Sequence, residues 1–386
     1  MAQLANAWMY ASSTEAAAVA VAHESLAAAT RLPLNEREAL HATALGQWCD
    51  GQWHAAARTL EDLGILYPLD VLALQMGHQL DFFTGESRML RDRVLRVLPA
   101  WSQDIPGYHA VLGMLAFGLE ETGDYARAEA AGRRAVELEP LDAWAQHAVA
   151  HVCEMQGRRD EGILWMHEST GWQQPGALLV HNWWHLALHH LARGETGRVL
   201  EIYDGPIRGN VASILDLIDC SAMLWRLELA GLEVGDRWDA VAEGFAPHAA
   251  SGNYAFNDLH AAMAFARAGR DGLLRELRAA QAAALTRRDD SAEFVTAVGA
   301  PAVEAVVAFA AGNYAQSAVL LRSIRNRAHR FGGSHAQRDL LDQTLIVAAR
   351  RSGQAALATA LESERGQVLA ARAAPPRQRP AFALAS

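Results

Sequence analysis

The feature that most constrains the fold is a glycine that recurs along the chain and closes a helical segment each time. Three of the intervals between these glycines are 34 residues, and the others are a few residues longer. The positions are Gly51, Gly85, Gly123, Gly157, Gly194, Gly235, Gly269, Gly312 and Gly353. Glycine permits the tight turn that joins two helices. A unit of this length cannot bury its own apolar face, so the helix pairs must stack on one another.

Two of the units carry further turn residues. Gly51-Gln52-Trp53 is followed 17 residues after its glycine by Pro68, and Gly123-Asp124-Tyr125 is followed at the same spacing by Pro140. The glycine makes the turn, the aromatic side chain fills the seam between the helices, and the proline ends the second helix. This is the tetratricopeptide layout. We therefore predict an all-α, tetratricopeptide-like α-solenoid of about nine helix-turn-helix repeats.

Length and composition agree with a single repeating body. The chain has 386 residues, 51% of them hydrophobic, which exceeds one ordinary globular core. We expect one superhelix over residues 1–370, whose inner side is lined by the first helix of each pair. Residues 371–386 contain Pro375, Pro376 and Pro380 among scattered arginines, which predicts a disordered tail.

Charge and cysteine usage set expectations for partners and location. The net charge of −10 argues against holding nucleic acid, because phosphate binding needs a basic surface, so no nucleic-acid partner is expected. The cysteines Cys49, Cys153 and Cys220 lie far apart, which favours a reducing compartment. Without a signal peptide or a stretch approaching 18 apolar residues, we expect a cytoplasmic protein with no membrane partner. An uncapped terminal repeat would allow a homodimer.

Histidines form the sharpest chemical pattern. His147 and His151 are one helical turn apart, with Glu154 on the same face, and His181 and His185 repeat this spacing in the next first helix, followed by His189. The i, i+4 spacing lets two imidazoles reach one ion or one polar group. A bound divalent metal, a metal-free polar site and buried structural histidines all remain open. No cofactor is assigned. Trp184, between the second pair, is a candidate ligand-binding residue.

Carboxylates stand in an otherwise apolar helix further along. Asp216 and Asp219 lie there with Arg226 close to the same face, and buried carboxylates need a partner. One interpretation is an ion pair with Arg226 or Arg237 that fixes helix packing. The other makes the aspartates an acid/base pair, or groups that orient a histidine.

Two more segments contain candidate ligand-binding residues. Asn257, Asp258 and His260 begin a later helix, where Asn257 is expected to be the N-cap and His260 to be free. Gly332-Gly333-Ser334 precedes a helix that carries His335 and Arg338, and a helix N-terminus attracts anions. Capping and surface ion pairs explain that segment as well. Phosphate-loop, serine-hydrolase and dinucleotide-binding motifs do not occur in the sequence.

Several longer strings carry a resemblance to a known family. They are Phe117-Gly118-Leu119-Glu120-Glu121, Ala148-Val149-Ala150-His151-Val152, Glu154-Met155-Gln156-Gly157, His181-Asn182-Trp183-Trp184-His185, Trp225-Arg226-Leu227-Glu228-Leu229 and the run from Gly332 to Asp339. They resemble the tetratricopeptide repeat protein 38 family over roughly residues 1–370. The resemblance implies a curved helical-repeat fold and no established reaction, substrate or cofactor. Its polar strings include the candidates above, which favours a defined ligand pocket.

Two classes of function follow from these patterns. The first is a binding protein whose His/Asp-rich concave groove takes a small polar ligand or a short peptide. The second is an enzyme of hydrolase or lyase type, in which groove histidines act as general base or hold a metal that activates water. The candidate catalytic residues are His147, His151, His181, His185, Asp219 and His335, and the candidate metal ligands are His147, His151, Glu154, His181 and His185. A purely structural adaptor is the third alternative.

Overall fold

The computed structural model describes residues 1–373, and residues 374–386 lie outside it. The described residues form helices and no β-strand, which confirms the predicted all-α helical-repeat fold. A hairpin of α1 (Ala2–Ala11) and α2 (Ala16–Thr30) comes first. Helix pairs follow, namely α3 (Glu36–Cys49) and α4 (Trp53–Leu66), α5 (Val71–Phe83) and α6 (Ser87–Val97), α7 (Tyr108–Glu121) and α8 (Tyr125–Leu138), α9 (Ala143–Met155) and α10 (Arg159–Glu168), and α11 (Leu179–Ala192) and α12 (Thr196–Ile202).

The second half continues the same alternation with one irregular pair. Its helices are α13 (Ile214–Leu229) and α14 (Arg237–Phe245), α15 (Ala255–Arg267) and α16 (Asp271–Ala284), α17 (Asp290–Phe294), α18 (Ala300–Ala310) and α19 (Tyr314–Ile324), and α20 (His335–Arg351) and α21 (Ala355–Ala373). A π-helical segment, Val295–Gly299, joins α17 to α18. Helix α21 includes residues 371–373, past the predicted start of the tail. The rest of the predicted tail lies outside the described residues.

The turn glycines adopt the backbone conformation on which the prediction depended. All nine have a positive φ, between 64° and 81°. The turn between α13 and α14 differs from the expectation. There α13 ends at Leu229 with Ala230 as its C-cap, so Gly231, with a φ of 89°, closes the helix, and Gly235 lies just before α14.

The superhelix closes on itself, because the segment from α3 to α5, near the start of the chain, contacts α15 and α17. The Trp53 ring lies 5.2 Å from the Tyr254 ring and 5.7 Å from that of Phe294, measured between centroids. The Tyr254 hydroxyl donates a hydrogen bond to the Phe83 carbonyl at 3.0 Å, and the amide of Asp290 donates to the Gly51 carbonyl at 3.0 Å. The concave side expected from the sequence is therefore an interior space bounded by both halves of the chain.

One helix meets the length and composition of a membrane span. The continuous helix Asp290–Ala310 has a mean hydropathy of 1.5 over its most apolar window, and 56% of that window is buried inside the fold. The expectation that no stretch approaches a span is therefore wrong for this segment. A buried core helix passes the same test of length and composition, so this segment alone is weak support for a membrane location.

Candidate metal centre

The two predicted histidine pairs form one cluster in the interior. His147 and His151 project from α9, and His181 and His185 project from the neighbouring α11. One ring nitrogen from each of the four lies within 4.8 Å of the others. The Nε2 atom of His181 is 3.1 Å from Nε2 of His147 and 3.3 Å from Nε2 of His185. His147, His151 and His185 are at most 3% exposed. We call these four residues the four-histidine cluster.

Carboxylates face the outer nitrogens of three of these rings. Asp219 Oδ2, on α13, lies 2.8 Å from His181 Nδ1, and Glu154 Oε2 lies 3.0 Å from His185 Nδ1. Glu120 Oε2, on α7, lies 3.6 Å from the third ring, at His151 Nδ1. A histidine that donates Nδ1–H to a carboxylate presents an unprotonated Nε2, the form that binds metals.

This pairing leaves a conflict at the centre of the cluster. When both rings are neutral and donate their Nδ1 protons outward, the Nε2 atoms of His181 and His185 are both acceptors, and neither can donate to the other across 3.3 Å. A proton on His181 Nε2 would satisfy one of its two short contacts and leave the other without a partner. A cation between the rings would satisfy all of the lone pairs together.

Ionisable groups around the cluster are buried, and several of their polar atoms have no hydrogen-bond partner. Glu120 is fully buried and neither of its carboxylate oxygens has a hydrogen-bond partner, and the same holds for both ring nitrogens of His151. Burial, with the nearby Glu121 and Glu154, raises the pKa of Glu120 well above its usual range. Burial also raises the pKa of Glu154, to about 7. Such carboxyl groups favour the neutral form unless a neighbouring positive charge stabilises the carboxylate.

Three of the four imidazoles favour the neutral form. Burial and the neighbouring rings hold the pKa of His147, His151 and His185 well below the usual histidine value. Burial acts in the same direction on His181, but the Asp219 carboxylate more than offsets it, so the pKa of His181 is raised. Neutral imidazoles ringed by buried carboxylates are the donor set that a divalent cation requires.

The distances also fit a metal ion. Tetrahedral zinc with Zn–N bonds of about 2.0–2.1 Å places its ligand nitrogens about 3.3–3.4 Å apart. The contacts of 3.1 and 3.3 Å are close to this value. All-imidazole ligation suits zinc, iron, copper and nickel. The arrangement can therefore hold a first-row divalent ion.

Two cavities approach the cluster from opposite ends of the inner helices. The first, which we call the aromatic cavity, has a volume of about 490 Å³ and reaches His147, His151, His181 and Asp219. The second, which we call the charged cavity, has a volume of about 1010 Å³ and reaches Glu154, His189, Arg226 and Arg338. A ligand in the aromatic cavity would meet the cluster directly.

The aspartates of α13 have separate roles. Asp219 orients His181, as one of the two interpretations proposed. Asp216 forms a capping box at the start of α13, where its carboxylate accepts from the Ser213 amide at 2.9 Å. Within the described part of the chain, neither aspartate pairs with Arg226 or Arg237, so the ion-pair interpretation is wrong. Arg226 donates instead to the Ala336 carbonyl at 2.5 Å.

Trp184 supports the cluster from the side. It is fully buried, and its ring stacks on His181 with 5.3 Å between centroids and 13° between planes. It is absent from the linings of both cavities, so it acts as packing for His181 and contacts no ligand there.

The start of α20 contacts Glu121, whose carboxylate lies within 4.8 Å of His151 of the four-histidine cluster. Ser334 caps the helix, as its sequence suggested, and the His335 amide donates to Glu121 Oε1 at 2.7 Å. Arg338 lies 3.3 Å from the other oxygen of the same carboxylate. The anion at this helix N-terminus is thus the chain's own Glu121. His335 and Arg338 line the charged cavity.

The residues at the start of α15 hold the fold together. Asn257 is not the N-cap, because the helix begins one turn earlier after Tyr254, and its side-chain amide donates to the Thr14 carbonyl and hydroxyl. Asp258 accepts from Gln281 at 3.0 Å. His260 donates within its own helix to the Phe256 carbonyl at 2.9 Å. None of the three lines the two cavities at the cluster.

The burial of His260 predicts that the folded protein becomes less stable at acidic pH. Burial lowers its folded pKa to about 4, with Arg226 acting in the same direction, whereas an unfolded histidine titrates near about 6.5. Between these values the unfolded chain binds the extra proton, so this residue's contribution to stability falls as pH decreases through that window. At pH 5 the loss is about 2 kcal/mol. Urea unfolding at pH 7 and pH 5 measures how much the free energy of unfolding decreases between these pH values. We expect this decrease to be smaller in His260→Leu than in the wild type by about the same amount, and equal decreases in the two proteins would contradict the role given to His260.

Sequence reasoning missed Glu120 and His78 as site residues. Glu120 and Glu121 are adjacent acids within an otherwise apolar first helix, and this pattern was a usable signal. His78 is a single histidine in α5 and had no partner pattern to mark it. Its neighbours Phe117 and Trp144 belong to other repeats, so tertiary structure alone places it at the aromatic cavity.

Comparison with known proteins found distant structural similarity only. No family model matches the chain. One solved structure, a human IFIT1 dimer with PPP-AAAA, has a TM-score of 0.41 and 14% identity, covering 92% of this chain and 86% of that one. A second, the human IFIT1 dimer with m7Gppp-AAAA, has a TM-score of 0.41 and 12% identity, covering 93% and 87%.

One expectation about partners needs correction. The absence of a nucleic-acid partner was inferred from net charge alone, and a chain of negative net charge can still carry a local basic surface, so net charge does not exclude a nucleic-acid partner. The helix pairs and their glycine turns show that the chain is an all-α helical-repeat protein of the tetratricopeptide type.

Proposed function

We propose that this protein binds a divalent transition-metal ion at His147, His151, His181 and His185. The observation that carries the proposal is the 3.3 Å approach of two Nε2 atoms, on His181 and His185, whose Nδ1 atoms each face a carboxylate. When both rings are neutral, their Nε2 lone pairs point at one place, and a cation there would satisfy both together. The Glu120 carboxylate, buried without a hydrogen-bond partner, adds negative charge that the ion would balance.

The carboxylates would orient the ligands from outside the ion. Asp219 and Glu154 fix the tautomer of His181 and His185, and Glu120 faces His151. Glu154 was a candidate metal ligand in the sequence, but its bond to His185 favours this supporting role. Carboxylates behind metal-bound histidines raise the basicity of the ring and hold its direction.

The size of the aromatic cavity supports a small molecule as the ligand of the centre. A cavity of about 490 Å³ is of the size that takes small ligands, and its lining comes from both halves of the superhelix. A metal facing this cavity would polarise a bound carbonyl or activate water, which is the hydrolase or lyase alternative. Asp219 Oδ1 is buried without a partner and is available to accept a proton there.

A metal-free enzyme is the second candidate. The His181–Asp219 contact of 2.8 Å is the geometry of a histidine base oriented by a carboxylate, and both residues line the aromatic cavity. In that case His181 would act without an ion. Activity that survives complete metal removal would favour this candidate over the metal centre.

Family and location are part of the same proposal. We infer that the chain is a member of the tetratricopeptide repeat protein 38 family. The support is that three of the sequence segments that resemble this family contain His151, Glu154 and the pair His181 and His185, which lie at the proposed site. We infer a cytoplasmic location because Cys49, Cys153 and Cys220 are all free thiols, as a reducing compartment would leave them.

Asp219→Asn tests the supporting carboxylates. Loss of the charge behind His181 should weaken zinc affinity by about 10- to 100-fold while leaving the helical content unchanged. The matched control is Asp216→Asn on the same helix, which removes a capping charge and should leave zinc affinity as in the wild type. Isothermal titration with Zn²⁺ would measure both. Equal affinities for the two variants would show that Asp219 does not support a metal ligand.

A further inference from the structure

The aromatic cavity differs from the charged cavity in the chemistry of its walls. Aromatic and aliphatic side chains form most of its lining, among them Phe82, Met114, Phe117, Trp144, Ile218 and Phe256. These side chains come from α5, α7, α9, α13 and α15, so five first helices converge on one apolar space. Walls of this kind favour planar apolar ligands, which pack edge-to-face or offset against aromatic rings.

Two residues that line this space contain buried polar atoms without a full set of partners. The indole Nε1 of Trp144 has no hydrogen-bond partner, and His78 has only a weak contact with the Leu90 backbone, which leaves its other ring nitrogen unpaired. His78 is 3% exposed and lies against Phe117 and Trp144, at 6.0 and 5.9 Å between centroids. A polar group buried in this way costs about 1–3 kcal/mol. Two of them from different helices at one apolar cavity indicate a ligand with hydrogen-bonding atoms.

The volume limits the size of this ligand. An apolar protein cavity of about 150 Å³ holds one benzene molecule. The aromatic cavity, at about 490 Å³, is roughly three times larger. A ligand of about two or three fused or linked rings therefore fits it.

We propose that the aromatic cavity binds an aromatic small molecule of about two or three rings that carries a hydroxyl or carbonyl group. His78 and the Trp144 indole recognise the polar group, and the aromatic walls bind the rings. This site goes beyond the proposed metal binding, because neither recognising residue belongs to the four-histidine cluster. Ring binding does not require the ion.

The experiment uses 2-naphthol and naphthalene as probes on the full chain, with binding measured by equilibrium dialysis. Wild-type protein should bind 2-naphthol about tenfold more tightly than naphthalene, because only the naphthol satisfies His78 or Trp144. His78→Leu together with Trp144→Phe should remove that preference and leave naphthalene affinity unchanged. His185→Ala, which removes a cluster ligand outside the cavity lining, should retain the naphthol preference, so failure of the metal proposal is distinguishable.

A blocking variant tests the location. Leu215→Trp fills the aromatic cavity and should abolish binding of both probes, whereas Leu369→Trp, in the charged cavity, should change neither. Circular dichroism and melting temperature establish that each variant is folded. Three results would overturn the inference: wild-type protein that binds neither probe, equal affinity for the two probes, or unaltered naphthol binding by folded Leu215→Trp.

Discussion

Gly85→Ala is expected to destabilise the protein by about 2–3 kcal/mol more than Gly123→Ala. Both glycines close the first helix of a pair with a similar φ, 74° and 81°. An added methyl group at Gly123 meets nothing within 4 Å, so the cost there is the left-handed backbone alone, about 1–2 kcal/mol. At Gly85 the methyl carbon would overlap the His329 carbonyl oxygen at 1.8 Å.

This difference tests the closure of the superhelix. Gly85 ends α5, and His329 precedes α20, so the two meet because the chain closes. Relief of the overlap requires the segment Arg325–Phe331 to move away from α5. Urea unfolding of the two variants beside the wild type measures the difference. Equal destabilisation by the two substitutions would mean that α5 and this segment are not in contact, and that the interior is open.

The helical repeat was predictable because its signal is local. A turn with positive φ demands glycine, and Trp53 or Tyr125 two residues later marks the following helix, so both features appear in the sequence itself. Closure was not predictable. Trp53 and Tyr254 share one aromatic cluster, but they are about two hundred residues apart, and no local rule pairs them. Gly231 was missed in favour of Gly235 because both residues lie in one turn.

The candidate site was predictable in its parts but not in its assembly. The i, i+4 spacing correctly placed His147 with His151, and His181 with His185, on one face of each helix. The register between α9 and α11, which brings the pairs within 4.8 Å, depends on packing. Asn257 looked like an N-cap by residue type, but Tyr254 precedes the helix and the Asn257 amide bonds to Thr14.

The second large effect that we expect is the loss of zinc binding when histidines of the four-histidine cluster are replaced. Loss of both rings in His181→Ala/His185→Ala removes half of the ligand set and should abolish zinc binding, since two remaining imidazoles cannot complete a tetrahedral site. His189→Ala is the matched control. It removes a buried histidine from the same helix, one turn beyond His185 and outside the cluster, so zinc binding should persist.

The most direct measurement is the amount of metal bound per chain. Protein freed of metal by a chelator is dialysed against Zn²⁺, and elemental analysis then gives the ratio of zinc to protein. We expect a single ion per chain in the wild type and in His189→Ala, and none in His181→Ala/His185→Ala. A wild-type protein that takes up no zinc, iron, nickel or copper, or a double variant that binds as much as the wild type, would contradict the metal centre.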